Sequence, residues 1–182
     1  RVAPPAGAWA VTYEQENYDG KRLFTVYRWS GREQLSAHLS TLEGTSILPA
    51  QVGNALAFLG YAREGTQDAH SSGLVGVKTY WRVLSQPDHP LSLMVHLVDE
   101  QGQPLAIGAG LDAPVDAWAP GDIVVQEHQL SPDAGTDLRH SHLEIGAYWL
   151  PSLERLPITD ARGASVPQDA VRLPALGLDT EQ

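Results

Sequence analysis

The sequence predicts an all-β protein: an antiparallel β-sandwich, immunoglobulin-like or jelly-roll, of about eight strands. Three observations carry this. In residues 75–83, Val75, Val77, Thr79, Trp81 and Val83 are apolar or β-branched, while Gly76, Lys78, Tyr80 and Arg82 interleave as a face that can meet water. Strand side chains point alternately to opposite faces, so this is the pattern of a half-buried strand. The pattern then recurs, in Leu91, Leu93, Val95 and Leu97 against Ser92, Met94 and His96, and again in Leu105, Ile107 and Ala109. Finally, the links are short. Residues 85–90 hold Pro87 and Pro90, which remove backbone donors, and Asp99-Glu100-Gln101-Gly102-Gln103 reads as a tight hairpin turn. Consecutive strands so joined are antiparallel, and their apolar face needs a second layer.

Taken in order, residues 1–8 (RVAPPAGA) read as a Pro-rich arm. Residues 9–13 form a first strand, the Asn17-Tyr18-Asp19-Gly20 turn follows, and residues 23–29 (LFTVYRW) form a second strand hairpinned to it. Ser30-Gly31-Arg32-Glu33 matches a capping box, and Leu35, Leu39 and Leu42 have helical spacing, so residues 33–42 are either a short helix or an irregular link. A strand over 56–62 and a polar loop over 63–73 lead into the central strands. Residues 111–122 are a long connection holding Trp118 and ending in the Pro120-Gly121-Asp122 turn. Strands follow at 123–130, at 140–150, briefly at 156–158 and at 171–173. The expected division is an N-terminal extension with a β-hairpin (1–52) packing on the main domain, the β-sandwich (53–178), and a frayed tail (179–182).

Composition narrows the function. A net charge of −10 argues against nucleic acid, which needs a basic footprint, and against docking on anionic lipid. The absence of cysteine excludes disulfides and thiolate zinc sites. The longest strongly apolar stretch, residues 55–62, is far shorter than the ~20 residues of a membrane helix, so no direct membrane insertion by this segment is expected. No cofactor is called for. An initial Arg suggests a piece of a longer product.

Two groups of residues could carry chemistry. His140, His142 and Glu144 fall at i, i+2 and i+4, which on one strand puts three metal ligands on one face. That reading gives a metal-dependent jelly-roll enzyme; the competing one is a polar strand edge. Trp118, with Asp116 and Asp122 in the same connection, offers a stacking ring with hydrogen-bonding acids, the ingredients of a carbohydrate-binding module. Against it, a large aromatic gains more from burial than from display, which makes Trp118 a plug over the sandwich end. His96 and His128 sit on strands without a triad spacing, and no G-x-S-x-G elbow occurs, so a hydrolase is unsupported. Turn acids such as Asp99 ordinarily bond their own backbone.

From residue 54 onward the motifs come in a recognisable order: Ala57-Phe58-Leu59-Gly60-Tyr61, Val77-Lys78-Thr79-Tyr80-Trp81-Arg82, Met94-Val95-His96-Leu97-Val98-Asp99 with Gly102, Trp118-Ala119-Pro120-Gly121-Asp122, Leu143-Glu144-Ile145-Gly146-Ala147-Tyr148, and Arg155-Leu156-Pro157. This succession resembles the β-sandwich domain at the C-terminal end of large bacterial membrane glycosyltransferases of the dolichyl-phosphate-mannose–protein mannosyltransferase type. It departs from that pattern at Gly135-Thr136-Asp137-Leu138-Arg139-His140, where the family has a Pro-Gly-Thr-Tyr-type turn. The resemblance implies a non-catalytic accessory domain that follows a multi-span membrane region of the same polypeptide and lies on the extracytoplasmic face of the cell membrane. Its expected partner is a glycan or acceptor. No catalytic residue carries over.

Overall fold

Two antiparallel sheets account for nearly all the regular structure in this computed structural model, which describes residues 8–16, 22–29, 42, 48–64, 75–108, 110, 115–136 and 138–173. The strands are β1 (Ala8–Glu16), β2 (Arg22–Trp29), β3 (Ala50–Val52), β4 (Leu56–Glu64), β5 (Val75–Val83), β6 (Leu91–Val98), β7 (Pro104–Ile107), β8 (Ile123–Leu130), β9 (His142–Trp149), β10 (Ile158–Thr159) and β11 (Val171–Leu173). One sheet has seven strands in the order β1-β2-β8-β5-β4-β3-β10, the other four in the order β11-β9-β6-β7. The protein is thus an all-β antiparallel sandwich. Among these eleven, β3 has no counterpart among the expected strands, being three residues long and too short for alternation to register, and the brief strand expected at 156–158 falls at Ile158–Thr159.

The inner faces follow the alternation. Val77, Trp81 and Val83 of β5 meet Leu91, Leu93, Val95 and Leu97 of β6 and Leu143, Ile145 and Ala147 of β9 in one core, all at most 1% exposed. Burying each large side chain stabilises the fold by roughly 1.5–3 kcal/mol. Trp81 sits opposite Phe58 in the β4–β5 register, with ring centroids 4.9 Å apart.

The outer faces differ from the half-exposed pattern expected. Tyr80, Ile123 and Val125 of the larger sheet form a second buried cluster, against which Leu42 and Leu59 pack. On the smaller sheet Ser92, Met94 and Val98 of β6 are buried too. Here the chain between β10 and β11 lies against β9: a β-carbon at Gly146 would stand 3.0 Å from both the Asp169 carbonyl oxygen and Met94 Cε. Close approach at a bare α-carbon lets that segment cover the sheet.

The β1–β2 hairpin joins the larger sheet through β2 and β8, with Phe24 opposite Gln126 and Tyr27 opposite Ile123. The division expected after residue 52 falls inside the paired β3–β4 hairpin. The helix or link expected over 33–42, apart from Leu42, the turn at 17–20, most of the loop at 63–73 and the tail at 179–182 lie outside the described residues.

Turn chemistry is explicit at two places. Asp99 Oδ1 accepts the backbone N–H groups of Gln101 (2.9 Å) and Gln103 (2.7 Å), and Gly102 adopts φ +79°. Asp160 repeats this with Arg162 and Ala164 (both 2.8 Å) and Gly163 at φ +82°. Both read Asp-x-x-Gly-x: the carboxylate closes the turn and glycine supplies the left-handed residue.

Candidate functional site

Register places Arg172 of β11, Glu144 of β9, His96 of β6 and Ile107 of β7 in one row across the smaller sheet. The row lies on the face turned away from the core. Glu144, its side chain only 7% exposed, is the centre. Its Oε1 accepts from Arg172 Nη2 (2.8 Å) and Nε (3.2 Å), and its Oε2 from Arg155 Nη2 (3.5 Å). A buried carboxylate is tolerable only when charge and hydrogen bonds are both supplied, and two guanidiniums supply them. The second guanidinium also donates through Arg155 Nη1 to the Gln168 carbonyl oxygen (2.9 Å), and Arg172 Nη2 donates to Gln168 Oε1 (2.5 Å).

Together with Glu100, Gln101 and Gly102 of the β6–β7 turn, these groups line an open polar cleft of about 460 Å³. Its rim holds a backbone outlier: Gln168 (φ 60°) and Asp169 (φ 50°) are consecutive left-handed residues that are not glycine. Such conformations are strained, and the hydrogen bonds to the Gln168 carbonyl and from Ile158 N to Asp169 Oδ1 (3.1 Å) hold them. A second cleft of about 480 Å³ adjoins, sharing Gln168 and Arg172 and lined further by Asp160, Ser165, Val166 and Pro167.

The charges of the row tune two histidines, His96 within it and His142 two residues before Glu144 on β9. Burial lowers the His96 pKa below the usual imidazole value, the nearby Arg155 charge lowers it further, and Glu144 opposes both. His142 is lowered chiefly by burial, then by Arg172, with Glu144 and Asp99 opposing.

The sequence-predicted metal ligands separate. His140 lies in a 3-10 turn (Leu138–His140) before β9, exposed, with Nδ1 3.2 Å from Glu100 Oε1. His142 opens β9 and its Nε2 is buried without a hydrogen-bond partner. Glu144 is engaged by the two arginines. Among the described residues no group of three or more His, Asp or Glu side chains is placed to hold a metal ion. Of the other set, Trp118 is 3% exposed and packs in the main core. Asp122 is 1% exposed, and its Oδ2 accepts Ala119 N–H (2.9 Å), closing the Pro120-Gly121 turn. Asp116 is exposed, in a 3-10 turn (Val115–Ala117).

A separate polar chain runs through the core. Trp81 Nε1 donates to Thr79 Oγ1 (2.9 Å), Thr79 Oγ1 is 3.0 Å from His128 Nε2, and His128 Nδ1 is 2.5 Å from the Gly108 carbonyl oxygen. A carbonyl cannot donate, so a neutral His128 carries its proton on Nδ1, and Thr79 donates to the bare Nε2. Every group is then satisfied. Burial pushes the His128 pKa down to about 4, against the bond to Gly108, with His96 adding a small lowering charge.

Sequence reasoning named Glu144 as a candidate ligand and Arg155 only as part of a motif, and it did not single out Arg172 or Gln168. Arg155 and Arg172 lie 11 and 28 residues beyond it, so no local spacing announces them. The available signal was cross-strand: opposite charges on neighbouring strands pair when register aligns them. No family model matches this chain, and neither a curated protein nor a solved structure does.

Proposed function

We propose that this chain is a non-catalytic, extracytoplasmic accessory domain of a larger membrane glycosyltransferase-like protein, where it positions or recognises glycan or acceptor. The observation that carries the reading is the commitment of Glu144: both its oxygens are held by guanidiniums, which makes it a structural strut. Asp122, Asp99 and His128 are likewise occupied in holding backbone or neighbouring strands. Groups so engaged suit a scaffold better than general acid–base work, which needs a free oxygen or nitrogen within reach of a substrate. The order of strand and turn motifs from residue 54 onward supports the parent assignment, and two of those motifs meet in space, where Arg155 reaches Glu144. No helix among the described residues is long and apolar enough to cross a membrane, so attachment is assigned to another part of the same polypeptide.

Fractionating cells of the source organism and blotting with antiserum to this chain tests the reading. A large species in the membrane fraction is expected. A soluble species near 19.7 kDa overturns it.

A further inference from the structure

We infer that the two adjoining clefts flanking Gln168 form one elongated subsite for a neutral oligosaccharide. This rests on the glycan-recognition reading above and gives it a place and a ligand class. Both clefts fall in the size range of ligand pockets, roughly 300–1,000 Å³, and they share Gln168 and Arg172, so one ligand can occupy both.

The first cleft is built of planar polar groups already fixed by one another. Arg155 and Arg172 hold Glu144, and both bond Gln168. Pairs of neighbouring sugar hydroxyls, each both donor and acceptor, match such planar groups two bonds at a time, and groups fixed beforehand lose little freedom on binding. Charge selects against ionic ligands. Two guanidiniums and two carboxylates, Glu144 and Glu100, line the cleft, so an anion meets two carboxylates, a cation two guanidiniums, and an uncharged polyol neither penalty. The second cleft offers Val166 and Pro167 as an apolar wall, with Asp160 and Ser165 beside it. That is the complement of a pyranose ring, apolar on its C–H face and polar at its rim. Gln168 lines both clefts, and its left-handed backbone conformation continues into Asp169. Backbone strain retained at a ligand-lining position is where a fold gives up stability for function.

The test is the 182-residue chain on an array of neutral and uronate-containing oligosaccharides, followed by calorimetry with the best-bound neutral trisaccharide. Binding to neutral glycans is expected. Gln168→Gly suits the backbone at φ 60° while deleting the amide, so it should keep or raise the melting temperature and weaken binding about 10-fold, the loss of one or two hydrogen bonds. Pro167→Asp, at an exposed position, should weaken trisaccharides while sparing monosaccharides. Binding only to uronates, or to nothing on the array, overturns the inference. So does neutral-glycan binding indifferent to both variants, although that outcome leaves the accessory-domain reading standing. A soluble native product removes that reading without touching this site.

Discussion

His128 Nδ1 lies 2.5 Å from the carbonyl oxygen of Gly108, and this contact ties the inner face of the seven-stranded sheet to the edge of the four-stranded one. Gly108 itself bonds Val95 (N–H to O, 2.8 Å), so the imidazole reaches the sheet ladder directly. Position 128 therefore titrates against the fold. Its folded pKa is about 4, below the unfolded 6.5, so above pH 6.5 both states are neutral here and nothing is lost. Between 6.5 and about 4 the unfolded chain takes a proton that the folded protein refuses, and stability falls by about 1.4 kcal/mol per unit, to a total of roughly 3 kcal/mol. His96 and His142, also lowered, add to the loss in the same direction. Urea midpoints at pH 7.5 and 4.5 should therefore converge more in His128→Gln than in the parent protein. An equal acid loss in both would refute this assignment.

Arg172 and Glu144 should differ sharply when replaced. Arg172→Met leaves a nearly buried carboxylate with only Arg155 at 3.5 Å. Fully buried pairs lose roughly 3–5 kcal/mol when broken, and the half-exposed guanidinium reduces this to about 1–3 kcal/mol. Glu144→Gln removes the charge together with the need for it and should cost less than Arg172→Met. Chemical denaturation of both variants decides; the reverse order would mean that Glu144 is better solvated than its burial indicates.

The paired turns give a cleaner case. Asp99→Ala and Asp160→Ala each strip the acceptor from two backbone N–H groups and should each cost about 1–2 kcal/mol. Gly163→Ala meets no atom within 4 Å, so its effect isolates the left-handed backbone, about 1 kcal/mol. Thermal melts of the three variants would contradict the account if the alanine at 163 were neutral.

Leu153 is 64% exposed with φ 60°, so its side chain contributes little burial while its β-carbon strains the backbone. Leu153→Gly should raise stability by about 0.5–1 kcal/mol. A lower melting temperature would count against it.

How much of this was legible in the sequence depends on distance along the chain. Alternation at Val75–Val83 and Leu91–Val98 correctly separates the inward residues, because period-two patterning is local. The fate of the outward residues is not local. Tyr80 and Met94 are buried by segments that arrive from elsewhere in the chain. The same holds at the site: Glu144 stands in an alternating strand, but its partners come from a turn after β9 and from the last strand. The Asp160 turn was readable, since it repeats the Asp99 spacing, and the shortness of β10 beside it hid the repeat.

Strand order also sets a schedule for synthesis. The β1–β2 hairpin leaves the ribosome ahead of the edge it docks on, β8, which is made only when residues 123–130 emerge. Until then β2 carries an unpaired row of backbone donors and acceptors, the template on which strands from other chains can add. β8 in turn needs β5 on its other side. The β1–β2 hairpin is thus made well before the edge it pairs with, and its nascent form needs shelter from neighbours over that interval.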